Sequence, residues 1–157
     1  VVGLWISILL WRYGPLGQLG LMYSPAAMVI AQAVIATPVV AGFTLAAIGQ
    51  QDPRLRLQLL GLGASRWQLY LLLVLEARIA ILAGVIAGFG AVISEVGASM
   101  MVGGNVRGHT RVLTTATVLE VGKGNFDVAI ALSVVLLMLA YGVTVLLTLV
   151  QQRGRRR

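Results

Sequence analysis

Three runs of apolar residues, each long enough to cross a lipid bilayer, constrain this chain more than any other feature. They occupy residues 25–48, 79–102 and 128–150. A helix of about 20 residues crosses the hydrocarbon core, and within lipid only helices and closed barrels satisfy their own backbone hydrogen bonds. Pro25 suits a first helical turn, whereas Pro38 removes a backbone donor and should kink its helix. The sequence therefore predicts an all-α fold, a polytopic transmembrane helical bundle with three complete spans.

The composition agrees with a membrane protein. Hydrophobic residues make up 59% of the chain and charged residues only 11%, whereas soluble domains carry about 25% charged residues. Cysteine is absent, which excludes disulfides and thiolate metal sites. His109 is the only histidine and has no second ligand at metal spacing, so we expect no metal site.

The chain opens with VVGLWISILLW, an apolar run that begins with Val rather than Met. The run is about half as long as a span requires, and no basic segment precedes it as in a signal peptide. We therefore expect residues 1–157 to be one transmembrane domain, an N-terminally truncated fragment whose first span is cut.

The basic residues predict an orientation. Two spans separate the connection before residue 79 from the C-terminus, so both lie on one side of the membrane. That side carries eight arginines: Arg54, Arg56, Arg66, Arg78, Arg153, Arg155, Arg156 and Arg157. The other side carries four basic residues: Arg12, Arg107, Arg111 and Lys123. Because basic residues collect in cytoplasmic loops, we expect 52–76 and the C-terminus to be cytoplasmic and 103–127 to be an outer loop.

The net charge of +7 also raises the possibility of nucleic-acid binding. No basic patch is interleaved with exposed aromatic residues, so we expect no nucleic-acid partner. We expect the terminal arginines to bind anionic lipid headgroups instead.

A polar interruption stands out in GLGASRWQLYLLLVLEAR, residues 61–78. Glycines at 61 and 63 predict a tight turn between two short amphipathic helices. One interpretation is an interfacial helix on lipid headgroups, with the Arg66 side chain reaching into water. The other is a docking site for a soluble partner. The pattern by itself favours the interfacial helix.

The stretch LGASRWQLYLLLVLEARIAIL resembles the cytoplasmic coupling loop of ABC importer permeases. Gly63 matches the central glycine of that loop, and Ala64 to Gln68 follow it as in many members. The sequence departs from the family where 57–59 reads Leu-Gln-Leu instead of Glu-Ala-Ala, and where 75–76 reads Leu-Glu instead of Leu-Pro. The runs SEVGASMMVGGN and TRVLTTA, together with GPLGQLGLMYSPAAMVIAQAVIATPVVAGFTLAAI, are similar to the tungstate-type branch, which is related to the molybdate and sulfate permeases.

The resemblance implies a type I ABC importer permease in a bacterial or archaeal inner membrane. It would import an oxyanion, and tungstate is the first candidate substrate. Two copies would form the pathway, two ATPase subunits would bind ATP and magnesium, and an outer binding protein would deliver the oxyanion. The coupling residues would be Leu57, Leu60, Gly63, Ala64, Ser65, Arg66 and Trp67, with Trp67 packing the loop against the membrane helices. A permease for molybdate, sulfate or another anion is the alternative within the class, and a secondary transporter or channel the alternative outside it.

The sequence carries no enzymatic signature. It has no GxxxxGK[ST] phosphate loop, and its five acidic residues are scattered, so the chain is not expected to be an enzyme.

Candidate pathway or gate residues fall in and after the second span. Gly84 and Gly88 form a GxxxG face, a pattern that favours close helix packing. Glu95 is the only acid inside a predicted span, and we expect it to be capped by backbone or paired with Arg107 or Arg111. Hydroxyl groups and one cation suited to an oxyanion follow at Thr110, Arg111, Thr114 and Thr115, unless this stretch is a solvated outer helix against a binding protein.

Overall fold

The computed structural model describes residues 1–155, and every regular element in that part of the chain is helical. The all-α prediction is confirmed. The helices are α1 (Val2–Leu10), α2 (Pro25–Gly49), α3 (Pro53–Gly61), α4 (Arg66–Glu76), α5 (Arg78–Ile93), α6 (Gly97–Gly103), α7 (Leu113–Gly122) and α8 (Phe126–Arg155), with one 3-10 turn at Gly17–Leu19. Arg156 and Arg157, half of the predicted headgroup-binding tail, lie outside the described residues.

Two of the three predicted spans are single long helices. α2 has 25 residues and begins at a local signal, because the Ser24 hydroxyl accepts a hydrogen bond from the Ala27 N–H at 3.3 Å and Pro25 occupies the first turn. α8 has 30 residues. Both helices are long and apolar enough to cross a membrane. Pro38 lies inside α2, and the predicted kink there stays a prediction.

The predicted continuous span over 79–102 is wrong. α5 ends at Ile93 after 16 residues and α6 begins at Gly97. At the break, the Ser94 hydroxyl donates to the Gly90 and Ala91 carbonyls at 3.1 Å, and the Glu95 carboxylate accepts from the Ala98 N–H at 2.8 Å. Such side-chain bonds to nearby backbone compete with a continuing helix.

A third candidate crossing exists only when α4 and α5 are counted together as one bent span. The two helices are together apolar and long enough to cross, and they are bent by 66°. Ala77, the residue between them, is only 6% exposed, and its N–H still donates to the Leu73 carbonyl at 3.0 Å. α5 by itself rises about 24 Å, which is short of the roughly 30 Å hydrocarbon core.

The largest packed surface joins α2 and α5, which run antiparallel. Gly84 lies against Phe43, and Gly88 lies one turn further along α5 against Val40 and Ala36. α6 then packs on α1 and the first half of α2. There the buried cluster forms, from Ile6, Leu10, Ala27, Ala31, Ala98 and Val102.

Hydrogen bonds join neighbouring elements at each end of the bundle. At one end, the Gln51 amide donates to the Leu73 carbonyl at 2.8 Å and the Gln151 amide donates to the Ile79 carbonyl at 3.2 Å. At the other end, the Tyr23 N–H donates to the Val102 carbonyl at 3.0 Å. Arg54, Arg56, Arg66, Arg78 and Arg153 lie on the elements at the first end. Arg111 instead lines a cavity with Gln32 and Leu139, inside the long helices, and the predicted division of the basic residues between the two sides of the membrane stays a prediction.

Most of the apolar surface of the two long helices is not covered within this chain. Along α8, Leu137, Met138 and Leu146 are each more than 60% exposed. Exposed apolar surface of this extent is unfavourable in water and is expected where lipid tails or other membrane helices cover it.

Candidate functional site

The α3–α4 hairpin forms the candidate coupling site. The Asp52 carboxylate caps α3 by accepting from the Arg54 N–H at 2.8 Å. Ser65 and Gln68 cap α4 reciprocally: the Ser65 hydroxyl accepts from the Gln68 backbone N–H, and the Gln68 side-chain oxygen Oε1 accepts from the Ser65 N–H at 2.8 Å. Such a capping box satisfies two backbone donors at the helix start. The two short helices predicted for this segment are therefore present, each with its own start signal.

Gly63 makes the turn between these helices possible. Its φ is +84°, in the left-handed region that favours glycine, and a Cβ added there would have no heavy atom within 4 Å. The following N–H, of Ala64, donates to the Leu59 carbonyl at 3.0 Å. The requirement for glycine at position 63 is thus conformational rather than steric.

Apolar side chains of the hairpin are strongly exposed. Leu57 is 69% exposed, Leu62 84% and Trp67 72%. The expectation that Trp67 packs the hairpin against the membrane helices is wrong in this structure, because Leu69 and Leu73 occupy the buried face of α4 instead. A groove of about 650 Å³ runs between α3 and α4, lined by Leu59, Leu62, Gly63, Ala64, Gln68, Leu71, Leu72 and Leu75.

Two arginines of the hairpin line a second cavity. Arg56 and Arg66 line a cavity of about 470 Å³ together with Leu60, Leu69 and Tyr70. An exposed apolar groove beside two arginines has the composition of a protein-binding surface, in which an apolar centre and arginine are both enriched.

At the opposite end, Glu95 is held by backbone. Its Oε1 atom accepts from the Ala98 N–H at 2.8 Å in the first turn of α6. A carboxylate is stabilised there by the unpaired N–H groups of a helix start. The backbone-capped alternative predicted for Glu95 is present, and within residues 1–155 the one ion pair is Lys123–Glu120 at 2.6 Å.

Thr110 and Asn105 shape the loop after α6. The Thr110 hydroxyl, 2% exposed, donates to the Gly103 carbonyl at 2.5 Å and accepts from the Val106 N–H at 2.9 Å. Asn105 adopts φ +52°, and its side-chain and backbone oxygens both accept from Arg111 at 3.3 Å. These bonds hold the Arg111 guanidinium at the start of α7.

Thr115 is fully buried, and its hydroxyl bonds to the N–H and C=O of Val112. Together with Thr110, it therefore supports the loop. The predicted role of both residues in the pathway stays a prediction.

A cavity of about 640 Å³ brings together three of the predicted pathway residues, Glu95, Arg111 and Thr114. Gln32 of α2 and Leu136 and Leu139 of α8 complete its wall with apolar residues of α5 and α7. Leu136 and Leu139 lie well inside α8 rather than at its start. The first residues of α7 therefore lie beside the middle of α8, and α7 runs from there towards the start of α8. Gly84 and Gly88 do not line this cavity, since they pack α5 against α2.

Outside the spans, Glu120 has a lowered pKa. The main cause is the hydrogen bond from the Asn125 amide at 2.8 Å, followed by the hydrogen bond from Lys123. Both partners stabilise the charged carboxylate. They join the end of α7 to the start of α8.

Sequence reasoning missed three groups of residues. The Ser65–Gln68 capping box is readable as S-x-x-Q before an apolar run. Gln51 and Gln151 carried no signal beyond being polar residues at span ends. Gln32 lies inside a predicted span, where a polar residue is unusual, and this was the available signal for the cavity.

The helices, the uncovered apolar surface, the cavity between α2, α5, α7 and α8 and the exposed hairpin at one end define a polytopic membrane permease. Over 152 residues the chain is 38% identical to the tungstate uptake system permease protein TupB of Peptoclostridium acidaminophilum, an alignment covering 97% of this chain and 67% of that protein. The chain belongs to the family of ABC transporter permease proteins.

Two further relatives are also named as permease proteins. A probable anion ABC transporter permease protein of Haloferax volcanii is 40% identical over 151 residues, covering 93% of this chain and 65% of that protein. The TupB protein of Campylobacter jejuni is 35% identical over 140 residues, covering 89% of this chain and 59% of that protein. The chain thus spans about two thirds of the length of these relatives. No family model and no solved structure matches it.

Proposed function

We propose that this chain forms the membrane core of a permease subunit in an ATP-driven ABC importer for an oxyanion, with tungstate as the first candidate. The substrate class comes from the relatives, two of which are named for tungstate uptake and one for anion transport. In this proposal the chain is a transport subunit rather than an enzyme, and a separate ATPase subunit binds ATP and magnesium.

The exposed α3–α4 hairpin carries the proposal. Its apolar groove and its arginines lie at the end of the bundle where α2 and α8 finish and where most arginines collect. That charge distribution supports a cytoplasmic hairpin and a cytoplasmic C-terminus. We propose that an ATPase subunit docks on this hairpin, chiefly through Leu57, Leu60 and the residues from Gly63 to Trp67.

The other end supports two further partners. The loop residues Arg107 and His109 are exposed there, which suits contact with an outer oxyanion-binding protein. The uncovered surfaces of α2 and α8 suit a second copy of the permease and lipid. We propose that the anion passes along the Glu95, Arg111 and Thr114 cavity, where a guanidinium and a hydroxyl donate hydrogen bonds to oxyanions.

Paired glycine substitutions test the docking proposal. Gly61 and Gly63 lie in the same turn, and an added Cβ meets no atom within 4 Å at either position, but only Gly63 has a positive φ. A left-handed conformation costs a non-glycine residue about 1–2 kcal/mol, and β-branched residues adopt it least readily. Gly63→Val should therefore disturb the turn, whereas Gly61→Val should not.

The measurement is capture of the ATPase subunit and oxyanion uptake, with both variants of the full-length permease at matched membrane abundance. We expect Gly63→Val to lose ATPase capture or uptake and Gly61→Val to keep both. If Gly63→Val captures the ATPase and transports like Gly61→Val, the hairpin is an interfacial helix and the docking proposal is wrong.

A further inference from the structure

Two glutamine side chains tie the ends of the long spans to the bend between α4 and α5. The Gln51 amide, two residues after α2, donates to the Leu73 carbonyl in the last turn of α4 at 2.8 Å. The Gln151 amide, near the end of α8, donates to the Ile79 carbonyl in the first turn of α5 at 3.2 Å. The two acceptors flank Ala77, where the helix axis turns by 66°.

Both contacts join segments distant in sequence, 22 residues apart for Gln51 and 72 residues apart for Gln151. Both are also partly buried, where a hydrogen bond is less exposed to competition from water. Three membrane helices and the hairpin therefore meet at one joint. We define the glutamine joint as Gln51, Gln151 and the α4–α5 bend.

The joint contains one polar atom that is not satisfied. The Gln51 side-chain oxygen is buried and has no hydrogen-bond partner among the described residues. A buried acceptor without a donor is unfavourable, and such groups in native proteins call for an explanation such as stored strain. The Gln51 side chain is therefore held at the joint by a single hydrogen bond, through its amide nitrogen.

We propose that Gln51 and Gln151 are the positioning residues that transmit movement of the α3–α4 hairpin to α2 and α8. The inference rests on the proposed function, because it gives the ATPase-driven hairpin a mechanical connection to the spans. α5 follows the hairpin through the continuous chain at Ala77. α2 is joined to α3 by residues 50–52 and is held to α4 by Gln51, and α8 is held to the start of α5 by Gln151.

The chain supplies matched controls for both residues. Each glutamine has a glutamine neighbour, at Gln50 and Gln152, and both neighbours are exposed. Methionine replaces glutamine with a similar length and flexibility but removes the donor. Gln51→Met and Gln151→Met should break the joint, whereas Gln50→Met and Gln152→Met change residue type at the same span ends and leave the joint intact.

The assay uses the full-length permease assembled with its ATPase and binding protein in liposomes, and it measures tungstate uptake and ATP hydrolysis together. Loss of one hydrogen bond of ordinary strength changes an equilibrium by about fivefold. We expect Gln51→Met and Gln151→Met to retain ATPase binding and hydrolysis while uptake per ATP falls by about that factor. We expect the two control variants to match the wild type, and Gln151→Lys, which restores a donor, to regain coupling.

Equal uptake per ATP in the joint variants and their controls would overturn the inference. If the joint variants fail to accumulate, spin labels at Cys-substituted Gln50 and Tyr70 test the same idea in a cysteine-free background. The distance between the end of α2 and α4 should stay constant when ATP binds, and a change would refute a rigid connection. Absence of uptake or ATPase binding by the wild type would instead contradict the proposed function.

Discussion

Replacing Gly84 by alanine tests the close contact between α5 and α2. A Cβ at position 84 would lie 2.6 Å from the Phe43 Cβ atom, although carbon atoms prefer about 3.5–4.0 Å. The Phe43 Cβ is attached directly to the backbone of α2, so a rotamer change does not relieve the overlap and the helices must separate. Overpacking of this kind costs about 1–3 kcal/mol.

Alanine also favours a helix over glycine by about 1 kcal/mol, which offsets part of that cost. Gly90 in the same helix isolates the packing contribution, because a Cβ there meets nothing within 4 Å. We expect Gly84→Ala to be less stable than Gly90→Ala by about 1–3 kcal/mol. Gly88→Ala should be intermediate, since its Cβ would meet a Val40 methyl group at 2.9 Å.

The measurement is the free energy of unfolding of the full-length permease in mixed detergent micelles, with oxyanion uptake measured in parallel. Equal stability of Gly84→Ala and Gly90→Ala would refute the packing argument. Loss of uptake without loss of stability would instead assign Gly84 to the transport pathway.

Three further predictions concern topology, the cavity and the connection between α7 and α8. Cysteines introduced at Gln58 and Gln152 should resist an impermeant thiol reagent on intact cells while one at Arg107 reacts, and the reverse pattern would contradict the proposed orientation. Arg111→Gln should reduce oxyanion uptake several-fold more than Arg107→Gln, because only Arg111 lines the cavity; equal effects would remove the cavity from the pathway. Asn125→Ala should raise the pKa of Glu120 towards its ordinary value, as measured by carboxyl NMR titration, because the Asn125 bond is the largest cause of the lowered pKa. Because the folded-state pKa of Glu120 is lowered, its ionised carboxylate contributes to stability above the ordinary pKa of about 4.5, and this contribution is lost as the pH falls through the folded-state pKa. An unchanged pKa of Glu120 in Asn125→Ala would contradict the Asn125 hydrogen bond as its main cause.

The two helices predicted best are those whose signals are local and continuous. α2 and α8 are each one long apolar run, and α2 also has Ser24 and Pro25 at its start. The break at Ser94–Val96 was missed because hydropathy averages across it, although Ser94 and Glu95 act on nearby backbone. The position of Trp67 was predicted wrongly because its environment depends on which face of α4 the rest of the bundle covers.

The sequence by itself determined the all-α membrane class, two of the spans and the glycine turn at Gly63. Each of these follows from hydropathy or backbone conformation within a short stretch of chain. Only the tertiary structure decided that Glu95, Arg111 and Thr114 share a cavity while Thr110 and Thr115 support a loop. It also decided that Gln51 and Gln151, rather than their glutamine neighbours, meet the α4–α5 bend. Such contacts depend on helix rotation and crossing, which are set by packing between residues far apart in the sequence.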